Sequence, residues 1–168
     1  YISAVAGYYT APSGQMLSFP FNSSTTVFYF NKDAFKAAGL PTDKAPSTWP
    51  EVALAAAKLK ASGHKCPFTT AWQGWTQLES FSAWHNVPIG SKANGLDGFD
   101  TVLEFNTPLQ VKHLQNLIDL QKDKTYDYSG RENKSENRFA SGECAIFLTS
   151  SGYYATAKGT AKFDFTSA

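Results

Sequence analysis

Ser150, Ser151 and Gly152 stand where a chain could hold an anion. They follow an apolar strand pattern, Glu143 to Leu148, and open a helix expected to end near Gly159. The first N–H groups of a helix have no partners within it, and its dipole favours negative charge there. Two hydroxyls add donors. The competing reading is a serine N-cap with no ligand. Asn22-Ser23-Ser24-Thr25 is a second cluster of small polar side chains, set just before a strand. It reads either as a turn or as a polar ligand lining. Trp72-Gln73-Gly74-Trp75 places two indoles three residues apart near a helix start. Such rings can cover an apolar ligand face or the C–H surface of a polyol, with their N–H groups as donors. Core packing is the alternative for Trp75.

Covalent catalysis finds less support. Cys144 lies within the apolar strand pattern, where a thiol is usually inert. His64, His85 and His113 fall on a strand start, a helix end and a helix, and read as structural or surface groups. No Gly-x-Ser-x-Gly elbow, His-Glu-x-x-His pair or phosphate loop occurs. No pair of carboxylates stands out from an ordinary solvated surface.

The elements that must position these groups belong to one domain. With 168 residues, 42% hydrophobic and 17% charged, the chain can bury a core and is not a disordered polymer. Aromatics reach 15%, including four Trp, a surplus that suits a sheet-rich core or a ligand site. A net charge of +1 gives no field that points to nucleic acid or an anionic membrane. No run of about 18 apolar residues exists to span a bilayer. Tyr1 to Gly7 carries no signal-peptide core, and Ala161 to Ala168 stops as a strand begins. Both ends are expected to be cuts within a larger protein. Cys66 and Cys144 have no metal-type spacing; a disulfide in an oxidising compartment and two buried free thiols both stay open.

Residues 26–30, rich in β-branched and aromatic side chains, predict a strand. Asn31 caps the next helix and Gly39 stops it. Thr48 with Glu51 forms a capping box, and the helix it opens, with Pro50 in its first turn, ends at Gly63. A short strand follows at 64–69, a helix from Trp72 to about Trp84, and a loop over 86–100. Val102 to Phe105 predicts a short strand. Thr107-Pro108 opens a helix with an apolar stripe at Val111, Leu114, Leu117 and Ile118. Ser135 to Ala140 predicts a helix and Lys162 to Phe165 a final strand. Strands alternating with helices predict an α/β layer fold.

Tyr29-Phe30-Asn31-Lys32-Asp33, then Pro46 to Trp49, a Lys-rich helix, and much later Phe139 to Ala145 running into Ser150-Ser151-Gly152, form a shared pattern. On these residues the whole chain resembles the periplasmic solute-binding proteins of ABC importers, in the cluster that includes maltose-binding proteins. Pro20 to Thr25, Trp72 to Trp75, Gln77 to Glu79, Phe81 to Trp84 and Val102 to Asn106 are similar to the members that bind glycerol phosphates. The resemblance implies a type II periplasmic-binding-protein-like lobe, with a mixed sheet flanked by helices. Residues 1–168 would form a single lobe, mostly the C-terminal one. The stretches near 1–25 and 160–168 would lie close to a hinge. The implied ligand is sn-glycerol-3-phosphate or a glycerophosphodiester, delivered to the transmembrane subunits of a permease. The protein would be periplasmic, monomeric and non-enzymatic, and would use no cofactor or metal.

The family's ligand contacts fall on Ser24, Trp72, Trp75 and Ser150, with Ser151 as the neighbour that could replace Ser150. The resemblance implies further ligand residues, a Tyr, a Glu and an Arg, outside this chain. Arg is the side chain best suited to grip a phosphate, and the two present, Arg131 and Arg138, stand in a polar stretch. A lobe alone is half a clamp and should bind weakly. Two other readings are a carbohydrate-binding module that uses exposed aromatics and a small hydrolase that uses Cys144.

Overall fold

The computed structural model describes residues 2–168. Its centre is one five-stranded sheet in the order β3-β2-β4-β1-β5. The strands are β1 (Thr26–Asn31), β2 (Cys66–Thr70), β3 (Tyr126–Asp127), β4 (Cys144–Ser150) and β5 (Phe165–Ser167). β2 runs parallel to β3 and β4, whereas β1 runs antiparallel to β4 and β5. The mixed α/β sheet flanked by helices therefore matches the expected fold class.

Alternation along the strands divides the core into two layers. Phe30, Ile146 and Phe68 occupy neighbouring register positions and share one face. They pack with Phe35 of α2 (Lys32–Ala37), with Val52, Ala55, Ala56 and Leu59 of α3 (Trp49–Ala61), and with Leu117 of α6 (Pro108–Lys122). Tyr29 and Phe147 point the other way. They meet Phe139 of α7 (Glu136–Ala140) and Ala157 of α8 (Tyr154–Thr160). Tyr153 closes that layer from a 3₁₀ turn, Ser151–Tyr153, that leads into α8. A one-residue slip would turn every aromatic of β1 to the wrong face, so the register is firmly specified.

Local chemistry sets the helix ends. Asn31 accepts a bond from the Ala34 N–H at 3.0 Å and starts α2. Gly39, at φ 66°, then turns the chain out of α2. Thr48 caps α3 by accepting from the Glu51 N–H. The reciprocal half of the expected capping box lies elsewhere: Glu51 accepts from the N–H and hydroxyl of Ser47 at 2.7 and 2.9 Å. Gln110 accepts from the Thr107 N–H at 3.0 Å at the start of α6.

Cys66 and Cys144 are direct partners on the parallel strands β2 and β4, and they form a disulfide with a Cα–Cα distance of 4.4 Å. No free cysteine exists among the described residues.

Several element boundaries depart from the sequence reading. Val102 to Phe105 is not a strand; only Leu103 makes an isolated bridge, to Gly90. The segment around it is built from turns, including α5 (Ser91–Asn94), where Lys92, Ala93 and Asn94 are left-handed. β3 has two residues, too few to produce an alternation pattern. The last strand is Phe165–Ser167, later than expected; Asp164 before it pairs with Lys32 through its side chain and accepts from the Lys32 N–H at 2.8 Å. A short helix, α1 (Ser3–Tyr8), precedes an extended run to β1. The Trp72–Trp84 helix is broken in kind: a wide π-type turn, Gly74–Glu79, gives way to α4 (Ser80–Trp84).

Candidate functional site

The parallel strands β2 and β4 end at Thr70 and Ser150, on the same edge of the sheet. β1 is antiparallel to β4, with Thr26 opposite Ser150, so the start of β1 reaches that edge too. The carboxyl ends of parallel strands are the usual location of ligand crevices in α/β sheets. A cleft of about 460 Å³ opens there, lined by Ser24, Trp72, Trp75, Glu136, Ser150, Gly152, Tyr153 and Thr156. Four of the five residues expected at a site thus share one wall: Ser24, Trp72, Trp75 and Ser150. Ser151 does not line the cleft; its hydroxyl accepts from the Thr25 N–H at 3.2 Å.

The hydroxyls are interlocked. Ser150 Oγ donates to Ser24 Oγ at 3.0 Å and accepts from the Gly152 N–H at 3.0 Å. The Ser151 N–H bonds the Thr25 carbonyl at 2.8 Å. Tyr29, buried under the cleft, donates to the Ser150 carbonyl at 3.0 Å. The turn therefore differs from the free helix terminus expected for anion binding. Two of its N–H groups are already bonded, and α8 begins only at Tyr154. Side-chain hydroxyls are what this wall presents to a ligand.

Trp72 sits directly after β2 with φ 51°, a left-handed conformation that a bulky residue rarely adopts. Its N–H donates to the Glu132 carbonyl at 3.0 Å. Gln73 anchors the turn by donating to the Thr70 and Gly130 carbonyls at 2.9 and 3.2 Å. Thr76 Oγ1 donates to the Ala71 carbonyl at 2.8 Å. The result leaves Trp72 43% exposed, its ring standing out rather than filling the core. Strain of this sort persists only where the surroundings over-determine it, and it gathers at binding sites.

The π-type turn that carries Trp75 is braced from behind by a buried polar network. His113 of α6 donates from Nε2 to Gln77 Oε1 at 3.1 Å, and its ring stacks on Phe81 at 3.8 Å. Gln110 donates to Ser82 Oγ at 2.8 Å. Burial pushes the His113 pKa down to about 4, with the nearby His85 adding to the effect. His64 is also held below its usual value by burial. None of the three histidines lines the cleft.

Sequence reading missed Glu136, Tyr153 and Thr156. Glu136 is half-buried, and burial raises its pKa above the ordinary carboxylate range. Tyr153 donates to the Glu136 carbonyl at 2.9 Å. Burial raises its phenol pKa, and the charge of Glu136 raises it further. The Phe139 helix and the Ser150 turn were both visible in the sequence, but their closeness across β4 was not.

Both indoles also border a second hollow of about 510 Å³, which they share with Tyr128 and Arg131. Arg138 is occupied elsewhere, paired with Asp127 at 2.8 Å and Glu143 at 2.7 Å. A larger apolar hollow of about 560 Å³ lies by the start of α3, walled mainly by Phe28, Trp49, Phe68, Trp84 and Leu148. Among the described residues no cluster could hold a metal ion. No helix there is long and apolar enough to cross a membrane.

A hydroxyl-and-indole cleft at the carboxyl edge of a mixed sheet is the equipment of a binding protein. Residues 2–167 match the bacterial extracellular solute-binding proteins, and the chain belongs to that family. It is 52% identical over 166 residues to the sn-glycerol-3-phosphate-binding periplasmic protein UgpB of Yersinia pestis, and 54% identical to that of Yersinia enterocolitica. Each alignment takes in 98% of this chain but 38% of the relative, so the chain spans well under half the length of these relatives. The crystal structure of UgpB from Mycobacterium tuberculosis in complex with glycerophosphocholine superposes with a TM-score of 0.78 at 22% identity. It covers 100% of this chain and 42% of that one. Maltose-bound MalE3 of T. maritima gives a TM-score of 0.74 at 18% identity, over 100% of this chain and 43% of that one. These two likenesses establish the fold. The family is one of binding proteins, which is not a class of enzymes.

Proposed function

We propose that this chain is one lobe, mostly the C-terminal lobe, of the periplasmic solute-binding component of an ABC importer. Its ligand is sn-glycerol-3-phosphate or a glycerophosphodiester, which the protein passes to the transmembrane subunits of a permease. The observation that carries this reading is the meeting of Ser24 and Ser150 with Trp72 and Trp75 in one cleft. Hydroxyls bind glycerol or phosphate oxygens, and indole faces cover the C–H edge of a polyol. Identity above 50% to proteins named for glycerol-3-phosphate supports the ligand class.

The cleft is open on one side. Phe21 is 94% exposed and Phe19 is 77% exposed along the run that leads to Ser24. Exposed aromatics beside a binding cleft suit an inter-lobe seam. In this reading residues near 1–25 and 160–168 lie close to the hinge, and the working protein is a monomer that closes around its ligand. A carbohydrate-binding module is less well supported, since Trp72 and Trp75 stand at a sheet end among hydroxyls rather than on a flat strand face. Titration calorimetry of the full-length protein with sn-glycerol-3-phosphate tests the reading. Binding that weakens about tenfold on Ser150→Ala supports it; binding to oligosaccharides but not to glycerol-3-phosphate overturns it.

A further inference from the structure

Glu136 supplies the only charged side chain among the described residues that line the cleft. Tyr153 is spent on the Glu136 backbone carbonyl at 2.9 Å, so it does not neutralise the carboxylate. Among the described residues no Lys or Arg makes an ion pair with Glu136; its carboxylate accepts a side-chain hydrogen bond from Asn133, which leaves the negative charge in place. The cation that borders the two indoles, Arg131, lines the adjoining hollow instead.

A carboxylate and a phosphate both accept hydrogen bonds and both carry negative charge, so they repel when neither is paired. A glycerol hydroxyl donates and is the natural partner of a carboxylate. We propose that Glu136 sets the orientation and selectivity of the cleft: its carboxylate takes the hydroxyl end of a phosphorylated polyol and keeps the phosphate at the opposite end. This rests on the reading of the cleft as a phosphorylated-polyol site. Glu136 is then a ligand-binding residue that selects polyol phosphates over simple alkyl phosphates and over inorganic phosphate.

Two phosphates separate this role from a structural one. sn-Glycerol-3-phosphate carries both hydroxyls, and n-propyl phosphate carries neither. In the full-length protein, Glu136→Gln should weaken sn-glycerol-3-phosphate about tenfold, the loss of one charge-assisted bond. It should leave n-propyl phosphate within about twofold or bind it more tightly, because the repulsion is gone. Equal losses for both ligands, or no loss for either, overturn the proposal. If the variant does not fold, a crystal structure of the wild-type complex decides. A ligand hydroxyl within about 3.2 Å of a Glu136 carboxylate oxygen supports the proposal, and a phosphate oxygen nearest that carboxylate overturns it. A wild-type protein that binds neither phosphate fails the functional reading itself, and this inference with it.

Discussion

Ser24 and Ser150 lie 126 positions apart in the chain, yet their hydroxyls share a 3.0 Å hydrogen bond at the sheet edge. Removing either hydroxyl should therefore act on the cleft and on the turn together. Ser150→Ala also frees the Gly152 N–H. Losing such a cap costs about 1 kcal/mol of stability. Affinity of the full-length protein for sn-glycerol-3-phosphate should fall about tenfold, the worth of one ligand hydrogen bond. Ser151→Ala, whose hydroxyl points to Thr25 and not into the cleft, should leave affinity within about twofold. Calorimetry and thermal melts on the two variants make the comparison. Equal affinity losses would contradict the placement of Ser151 outside the cleft.

Trp72→Gly should separate binding from folding. The left-handed backbone at Trp72, φ 51°, is comfortable for glycine. The exposed ring gives the core little, so the melting temperature should hold or rise slightly. The same change removes an indole from the cleft wall, and ligand affinity should drop by at least about tenfold. A variant that melts early while binding normally would reverse both assignments.

The disulfide should matter for persistence of the fold. Cys66 and Cys144 close a loop of 78 positions. Chain entropy alone would put the loss on reduction at about 4.5 kcal/mol for a loop this long, and disulfides typically contribute about 2–4 kcal/mol. Denaturant unfolding with and without reductant measures it. A change below about 0.5 kcal/mol would show that the staple holds nothing the sheet does not already hold.

Acid should loosen the brace behind Trp75. The His113 pKa is depressed to about 4 in the fold. The sign follows from proton counts: between its unfolded value near 6.5 and about 4, the unfolded chain takes up a proton that the folded chain refuses. The stability from His113 is thus fully present above about pH 6.5 and lost as pH falls toward 4, by at most about 3 kcal/mol. His113→Gln should flatten the stability profile over that window. An unchanged slope in the variant would place the acid sensitivity on other groups.

The isolated 168 residues should bind sn-glycerol-3-phosphate at least about a hundredfold more weakly than the full-length protein, since one wall of a clamp leaves the other side wet. Comparable affinities by calorimetry would show that this lobe is a complete site.

Much of this architecture can be read from local pattern. The β-branched and aromatic run of β1, the Asn31 cap and the Gly39 stop need only neighbours within a few positions to act, and they fall where the pattern places them. What failed depends on distant partners. β3 exists because Phe68 and Thr69 accept Tyr126 and Asp127 beside them, and two residues carry no periodicity of their own. The left-handed Trp72 is invisible in a Trp-Gln-Gly-Trp string, because the bonds that hold it come from Glu132 and Gly130. Ser24, Trp72, Trp75 and Ser150 stand out in the sequence as small polar clusters and paired indoles, and the resemblance joins them into one ligand set, while Glu136 and Tyr153 come together only after α7 and the end of β4 are packed.

The covalent tie between Cys66 and Cys144 sits where β2 and β4 begin, and Ser150 is where β4 ends. About six residues of strand, roughly 20 Å, separate the two. Durability and discrimination are therefore written at opposite poles of the same sheet. The side chains that line the cleft at one pole could be exchanged without touching the staple at the other, and the reverse would hold as well.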